Sequence, residues 1–74
     1  MMKKVYKMED LDCAHCAAKM EKGIAKLDGV QTVAISFLTQ KMTVTFDDGA
    51  DMDAIMQKAA AICKKIEPDC RILL

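Results

Sequence analysis

The chain has 74 residues, 53% of them hydrophobic and 30% charged, and its eleven basic residues balance eleven acidic ones. These values favour one small globular domain over residues 1–74, exclude a disordered chain, and give no basic excess for binding nucleic acid. Because no apolar run approaches the roughly 20 residues of a membrane span and the N-terminal segment lacks a signal-peptide core, we expect a cytoplasmic domain.

The first part of the chain predicts a strand followed by a helix. Apolar and polar side chains alternate over residues 4–8, as in a strand. Residues 10–12 break this pattern, after which apolar residues recur at helical spacing: Cys16, Met20, Ile24 and Leu27. This spacing predicts an amphipathic helix, which the pair Asp28-Gly29 ends.

The second part predicts a hairpin, a second helix and a last strand. Residues 30–37 and 41–46 each alternate in hydrophobicity and form the hairpin. Asp51 can cap the second helix, and Pro68 prevents its continuation. Residues 69–74 alternate again and are expected to form the last strand.

The predicted order is β-α-β-β-α-β, an α+β arrangement. Two helices that cover one face of a four-stranded antiparallel sheet bury all the apolar faces, which gives a ferredoxin-like sandwich. In this topology the loop after the first strand and the loop before the last strand lie at the same end of the sheet. We therefore expect Cys13 and Cys16 to lie near residues 64–68.

Cys13 and Cys16 are three residues apart where a polar loop turns into the first helix, so their sulfurs can point at one atom. We expect the helix N-terminus to favour the Cys16 thiolate, the form that binds a metal ion. An ion held there would be open to a partner, which suits transfer more than a closed structural site. Two ordinary cysteines or a thiol redox pair are the alternatives; the absence of Trp and the short chain disfavour a thioredoxin-like protein.

Other side chains could complete this site. Asp12 is either a third ligand or a helix cap or solvated charge; with it, the donors suit Zn(II), Cd(II) or Pb(II), whereas two thiolates alone suit Cu(I). His15 is expected to be an exposed histidine at the helix start. Cys63 and Cys70 fall on apolar faces, so we expect core residues and not ligands. The sequence shows no catalytic constellation.

Residues 8–20 resemble the metal-binding loop of heavy-metal-associated domains. That family includes copper chaperones, mercury-binding proteins and the N-terminal metal-binding modules of heavy-metal P-type ATPases. The resemblance continues through residues 27–30, the second hairpin strand and residues 65–69. Cys13 and Cys16 match the two metal-binding cysteines of the family.

Asp12 matches the aspartate of the zinc, cadmium and lead branch of that family. The resemblance therefore implies a non-enzymatic module that binds Zn(II), Cd(II) or Pb(II) and exchanges it with a cognate metal-transporting ATPase or a metallochaperone. Two positions depart from the family pattern. Leu11 replaces a methionine. Cys70 replaces an aliphatic residue, so a third thiol near the site remains an alternative.

Three other functions remain open from the sequence. One is a free-standing cytosolic metallochaperone of the same fold, for example for Cu(I). Another is a thiol-disulfide oxidoreductase that uses the same cysteine pair. The last is a metal-free ligand-sensing module, but this function does not explain an exposed cysteine pair.

Overall fold

A computed structural model describes residues 2–74, and its elements follow the predicted order. They are β1 (Met2–Glu9), α1 (Ala14–Ala25), β2 (Val30–Ser36), β3 (Lys41–Phe46), α2 (Met52–Ile66) and β4 (Arg71–Ile72). The strands form one antiparallel sheet in the order β2-β3-β1-β4. The predicted ferredoxin-like sandwich is confirmed. Neither helix within residues 2–74 has the length and apolar character needed to cross a bilayer.

The strand register brings three connections to one end of the sheet. Lys7 near the end of β1 pairs with Lys41 at the start of β3, and Glu9 pairs with Arg71 at the start of β4. The β1–α1 loop, the β2–β3 turn and the α2–β4 loop therefore meet at this end. The predicted proximity of the cysteine pair to the segment before β4 is confirmed, because the Asp12 N–H points at the Glu67 carboxylate.

The core lies between the two helices and the inner face of the sheet. Four methionines fill it at 2% exposure or less, together with Phe46 from β3: Met8, Met20, Met42 and Met56. Thioether side chains adapt to irregular gaps, which suits a core with few aromatic rings. Burial of a side chain the size of Phe46 contributes about 1.5–3 kcal/mol.

Helix α1 differs from its predicted span at both ends. It begins at Ala14, before the first apolar residue of the stripe, because the Cys13 side chain accepts the Cys16 N–H as an N-cap. It ends at Ala25 because the N–H groups of Lys26 and Leu27 bond to carbonyls three residues back, which tightens the last turn.

The last strand is shorter than predicted. Only Arg71 and Ile72 form β4, where residues 69–74 were expected. The pairing extends by one further bond, in which the Leu73 N–H donates to the Lys7 carbonyl at 2.8 Å. Leu74 lies beyond it with 64% of its surface exposed. On this edge β1 pairs with β4 only at Met8 and Glu9, so the ladder is two residues long.

Candidate metal-binding site

The cysteine pair lies at the end of a short loop that one buried side chain attaches to the core. β1 ends at Glu9, and Asp10 adopts a left-handed conformation with φ 59° that redirects the chain. The next side chain, Leu11, is 1% exposed and belongs to the core. A leucine fills this place where the related pattern has methionine, and the two have similar volumes. The buried Leu11 leaves Asp12 and Cys13 at the surface.

Cys13 and Cys16 lie side by side at the start of α1. Cys13 is extended, with φ −135°, and its sulfur accepts the backbone N–H of Cys16 at 3.1 Å. Both side chains are half-buried and neither is in a disulfide. The structure thus brings the two predicted ligands together at a place that a partner molecule can reach.

The two thiols differ in acidity, and the difference is opposite to the sequence-based expectation. The hydrogen bond from the Cys16 side chain, followed by the backbone N–H of Cys16, holds the pKa of Cys13 below its usual range. Donation of that same side-chain hydrogen bond to Cys13, together with desolvation, raises the pKa of Cys16. The expectation that Cys16 carries the favoured thiolate is therefore wrong. Cys13, as the N-cap, accepts the helix N–H, whereas Cys16 acts as a donor.

A carboxylate from the opposite loop faces the thiols. Glu67 follows α2 as its C-cap, and its Oε1 lies 3.4 Å from the Asp12 N–H. Within residues 2–74, its Oε2 is buried without a hydrogen-bond partner. The negative charge of Glu67 opposes ionisation of Cys13 and Cys16 and raises the pKa of each thiol. A buried carboxylate oxygen without a donor is costly and is a free ligand for a cation.

The remaining predicted residues occupy different environments. Asp12 and His15 are exposed, and the helix is capped by Cys13 and not by Asp12. Cys63 and Cys70 are 1% and 2% exposed, which confirms that they are core residues. Burial raises the pKa of Cys63 to about 12 and that of Cys70 to about 11. Over residues 2–74, no group of three or more His, Cys, Asp or Glu side chains is arranged to hold a metal ion.

Sequence reasoning missed two residues that contact this loop. Glu67 belongs to the segment that topology places nearby, so its carboxylate could have been identified there. Gln40 ends the β2–β3 turn, and its side-chain Nε2 donates to the Leu11 carbonyl at 2.7 Å. A glutamine in a hairpin turn has no distinctive sequence signal, so Gln40 could not have been found before the structure.

The donors at this site suit a soft or borderline ion. Thiolates of Cys13 and Cys16 are ligands for Zn(II), Cd(II) and Cu(I), and an added carboxylate oxygen shifts the preference toward the divalent ions. Because the thiols lie at the surface, such an ion would keep open positions for incoming ligands. This arrangement is chemically suited to binding that is followed by exchange.

Comparison with known proteins gives the family of the chain. The sequence matches the heavy-metal-associated domain over residues 5–68. A cadmium, zinc and cobalt-transporting ATPase of Bacillus subtilis is 31% identical over 68 residues, which are 92% of this chain and 10% of that protein. A zinc/cadmium/lead-transporting P-type ATPase of Escherichia coli is 38% identical over 56 residues, which are 73% of this chain and 8% of that protein. The chain thus spans about a tenth of the length of these relatives.

Solved structures share the fold. The CopZ metallochaperone has a TM-score of 0.75 at 15% identity, with 97% of this chain and 100% of that chain covered. The apo N-terminal domain of the zinc(II) ATPase ziaa has a TM-score of 0.74 at 20% identity, with 99% of this chain and 64% of that chain covered. At these identities the likeness supports the fold alone. The family match includes the loop, both half-buried thiols and Glu67, and the chain therefore belongs to the family of heavy-metal-associated domains.

Proposed function

We propose that this domain binds Zn(II), Cd(II) or Pb(II) through Cys13 and Cys16 and passes the ion on, as a delivery or regulatory module of a heavy-metal-exporting P-type ATPase. The observation that carries the proposal is the pair of adjacent, half-buried thiols at the start of α1, with the Cys16 N–H donating to the Cys13 sulfur at 3.1 Å. Two thiols held together at the surface suit reversible capture of a soft ion.

The relatives support the choice of ion and of partner. The proteins from Bacillus subtilis and Escherichia coli are named for transport of cadmium and zinc, with cobalt or lead in addition. A domain of this kind within such a transporter would lie on the cytoplasmic side of the membrane and receive ions from, or give them to, the transporter or a metallochaperone. Hydrolysis of ATP would belong to other domains, so the domain is not itself an enzyme.

Transfer would proceed by ligand exchange. Cys13, with its lowered pKa, supplies the first thiolate, and Cys16 releases its proton to solvent when the ion binds. A thiolate of the partner then adds to the exposed ion, and one sulfur of the domain leaves before the other. Because metal–ligand bonds are exchanged one at a time, no free ion is released and no covalent substrate bond breaks.

We propose oxygen donors for the divalent ions from Asp12 and Glu67. Asp12 is exposed beside Cys13, and Glu67 has a buried Oε2 without a partner among residues 2–74. Asp12→Ala and Glu67→Gln should each weaken Zn(II) binding about tenfold and change Cu(I) binding little, because Cu(I) prefers two thiolates. Competition titrations with both ions measure this difference, with Asp69→Asn, an exposed carboxylate on the same loop as Glu67, as control. Equal losses for Zn(II) and Cu(I) would contradict a role for these oxygens.

The site itself is tested by anaerobic titration of the reduced protein with Zn(II) in competition with a chromophoric chelator. We expect one tight equivalent, lost in the Cys13→Ser/Cys16→Ser double variant. The Cys63→Ala/Cys70→Ala double variant is the matched control, because it removes the same number of thiols from the core and should retain the equivalent. Binding that survives in the first variant would place the ion elsewhere.

Two alternatives have specific support. Two adjacent thiols without a third arranged donor fit a Cu(I) metallochaperone, and Cu(I) that outcompetes Zn(II) under buffered conditions would favour it. The lowered pKa of Cys13 fits a dithiol oxidoreductase, which predicts a reversible Cys13–Cys16 disulfide and turnover with a disulfide substrate. Absence of Zn(II) binding together with such turnover would establish the redox function.

A further inference from the structure

The side chain of Gln40 holds the backbone of the cysteine loop by two hydrogen bonds. Its Oε1 accepts the Leu11 N–H at 3.0 Å, and its Nε2 donates to the Leu11 carbonyl at 2.7 Å. The same Nε2 also donates to the Phe37 carbonyl at 2.9 Å, which fixes the amide within the β2–β3 turn. One side chain thus joins two segments that are 29 residues apart in the sequence.

These bonds continue the sheet beyond the point where its backbone ladder stops. The last backbone bond between β1 and this turn runs from the Met8 N–H to the Gln40 carbonyl, at 2.8 Å. Asp10 then turns away in the left-handed conformation, and the Gln40 amide replaces a strand partner for Leu11. Leu11 is therefore held through both its buried side chain and its backbone, two residues before Cys13.

We propose that Gln40 is a positioning residue for metal binding, which orders the loop so that the Cys13 and Cys16 sulfurs stay side by side in the metal-free protein. This inference rests on the proposed function for its metal readout. A loop ordered before binding loses less conformational freedom on capturing the ion, so affinity should rise and release should slow. Gln40 does not contact the ion in this account.

The substitution Gln40→Asn separates positioning from folding. Gln40 has φ 57°, a left-handed conformation that asparagine tolerates better than glutamine, and this gain should offset the stability lost with the hydrogen bonds of the Gln40 amide. The shorter side chain keeps the amide but cannot reach Leu11. Gln57→Asn is the matched control, since Gln57 is exposed on α2 and lies in the half of that helix away from the cysteine loop.

Three measurements on the full chain decide the proposal: chemical unfolding, amide hydrogen exchange of Leu11 in the metal-free state, and the Zn(II) dissociation constant with its release rate. For Gln40→Asn we expect unchanged unfolding, Leu11 exchange at least about tenfold faster, and a Zn(II) Kd about tenfold higher with faster release. Gln57→Asn should match the wild-type chain in Leu11 exchange and Kd.

Unchanged Leu11 exchange in Gln40→Asn would overturn the proposal, as would a changed exchange with an unchanged Kd and release rate. The proposal would also be overturned if Gln40→Asn lowered the free energy of unfolding and raised the Zn(II) Kd only as a result of that loss. If the wild-type chain binds no Zn(II), the proposed function is wrong, and so is a role for Gln40 in metal binding. Leu11 exchange would then still show whether Gln40 orders the loop.

Discussion

At the scale of single residues, the proposed metal site contains two thiols of unequal acidity. The Cys13 sulfur accepts hydrogen bonds and the Cys16 thiol supplies one, so the pKa of Cys13 is lowered and that of Cys16 is raised. In the proposed mechanism, a metal ion binds first through Cys13, the thiol with the lowered pKa, and then displaces a proton from Cys16.

This inequality predicts an order of chemical modification. At a pH near neutrality, limiting iodoacetamide should alkylate Cys13 first, because the lowered pKa gives it the larger thiolate fraction. Cys16 should follow, and the buried Cys63 and Cys70 should react only on unfolding. Peptide mass spectrometry after timed quenching measures the order, with protein in urea as control. Faster reaction of Cys16 would contradict the described hydrogen bonding.

At the scale of elements, the periodicity of the sequence predicts the type and order of all six elements, and side-chain hydrogen bonds decide where they end. The α1 N-terminus depends on Cys13 acting as cap, which sulfur seldom does and which apolar spacing cannot show. The cysteine pair is predictable from its spacing alone. Glu67 could have been identified from the topology, which places its segment near the cysteines. The contribution of Gln40 could not, because it comes from a turn 29 residues away from Leu11.

The connection between α1 and β2 requires glycine at one position. Gly29 has φ +92°, and an added Cβ would lie 2.7 Å from Ile55 Cδ1, whereas Gly49 has φ +77° and open space around it. Gly29→Ala should reduce the free energy of unfolding by about 2–4 kcal/mol, since a backbone cost of roughly 1 kcal/mol adds to overpacking. Gly49→Ala should reduce the free energy of unfolding only by this backbone cost. Urea unfolding of the metal-free variants measures both, and equal effects would contradict the close contact.

At the scale of the whole molecule, the four thiols divide into a half-buried pair at the start of α1, which are the proposed metal ligands, and a buried pair in the core. Cys63 packs from α2, and Cys70 lies just before β4, both in the core cluster. The charge of Cys70 adds to desolvation in raising the pKa of Cys63. The core therefore favours neutral thiols, whereas at the surface the pKa of Cys13 is lowered.

This division predicts how the stability of the metal-free protein depends on pH. Folding raises the pKa of Cys63 to about 12 and of Cys70 to about 11, so the folded state binds protons more tightly than the unfolded chain. The contribution of these two thiols to the free energy of unfolding is complete below a pH of about 8.5, the pKa of cysteine in the unfolded chain. It is lost as the pH rises toward their pKa values in the folded state. Unfolding free energies measured between about pH 8 and 10.5 should fall with a steeper slope in the wild-type chain than in Cys63→Ala/Cys70→Ala. Parallel slopes would contradict buried, neutral thiols.

X-ray absorption at the zinc edge of the chain loaded with one equivalent of Zn(II) would identify the atoms that bind the ion. We expect two sulfur ligands at about 2.3 Å, from Cys13 and Cys16, with oxygen or nitrogen ligands at about 2.0–2.2 Å completing the shell. The spectrum should be unchanged in Cys63→Ala/Cys70→Ala. A shell of three or four sulfurs from one chain, or one without sulfur, would contradict a metal site built on the surface pair.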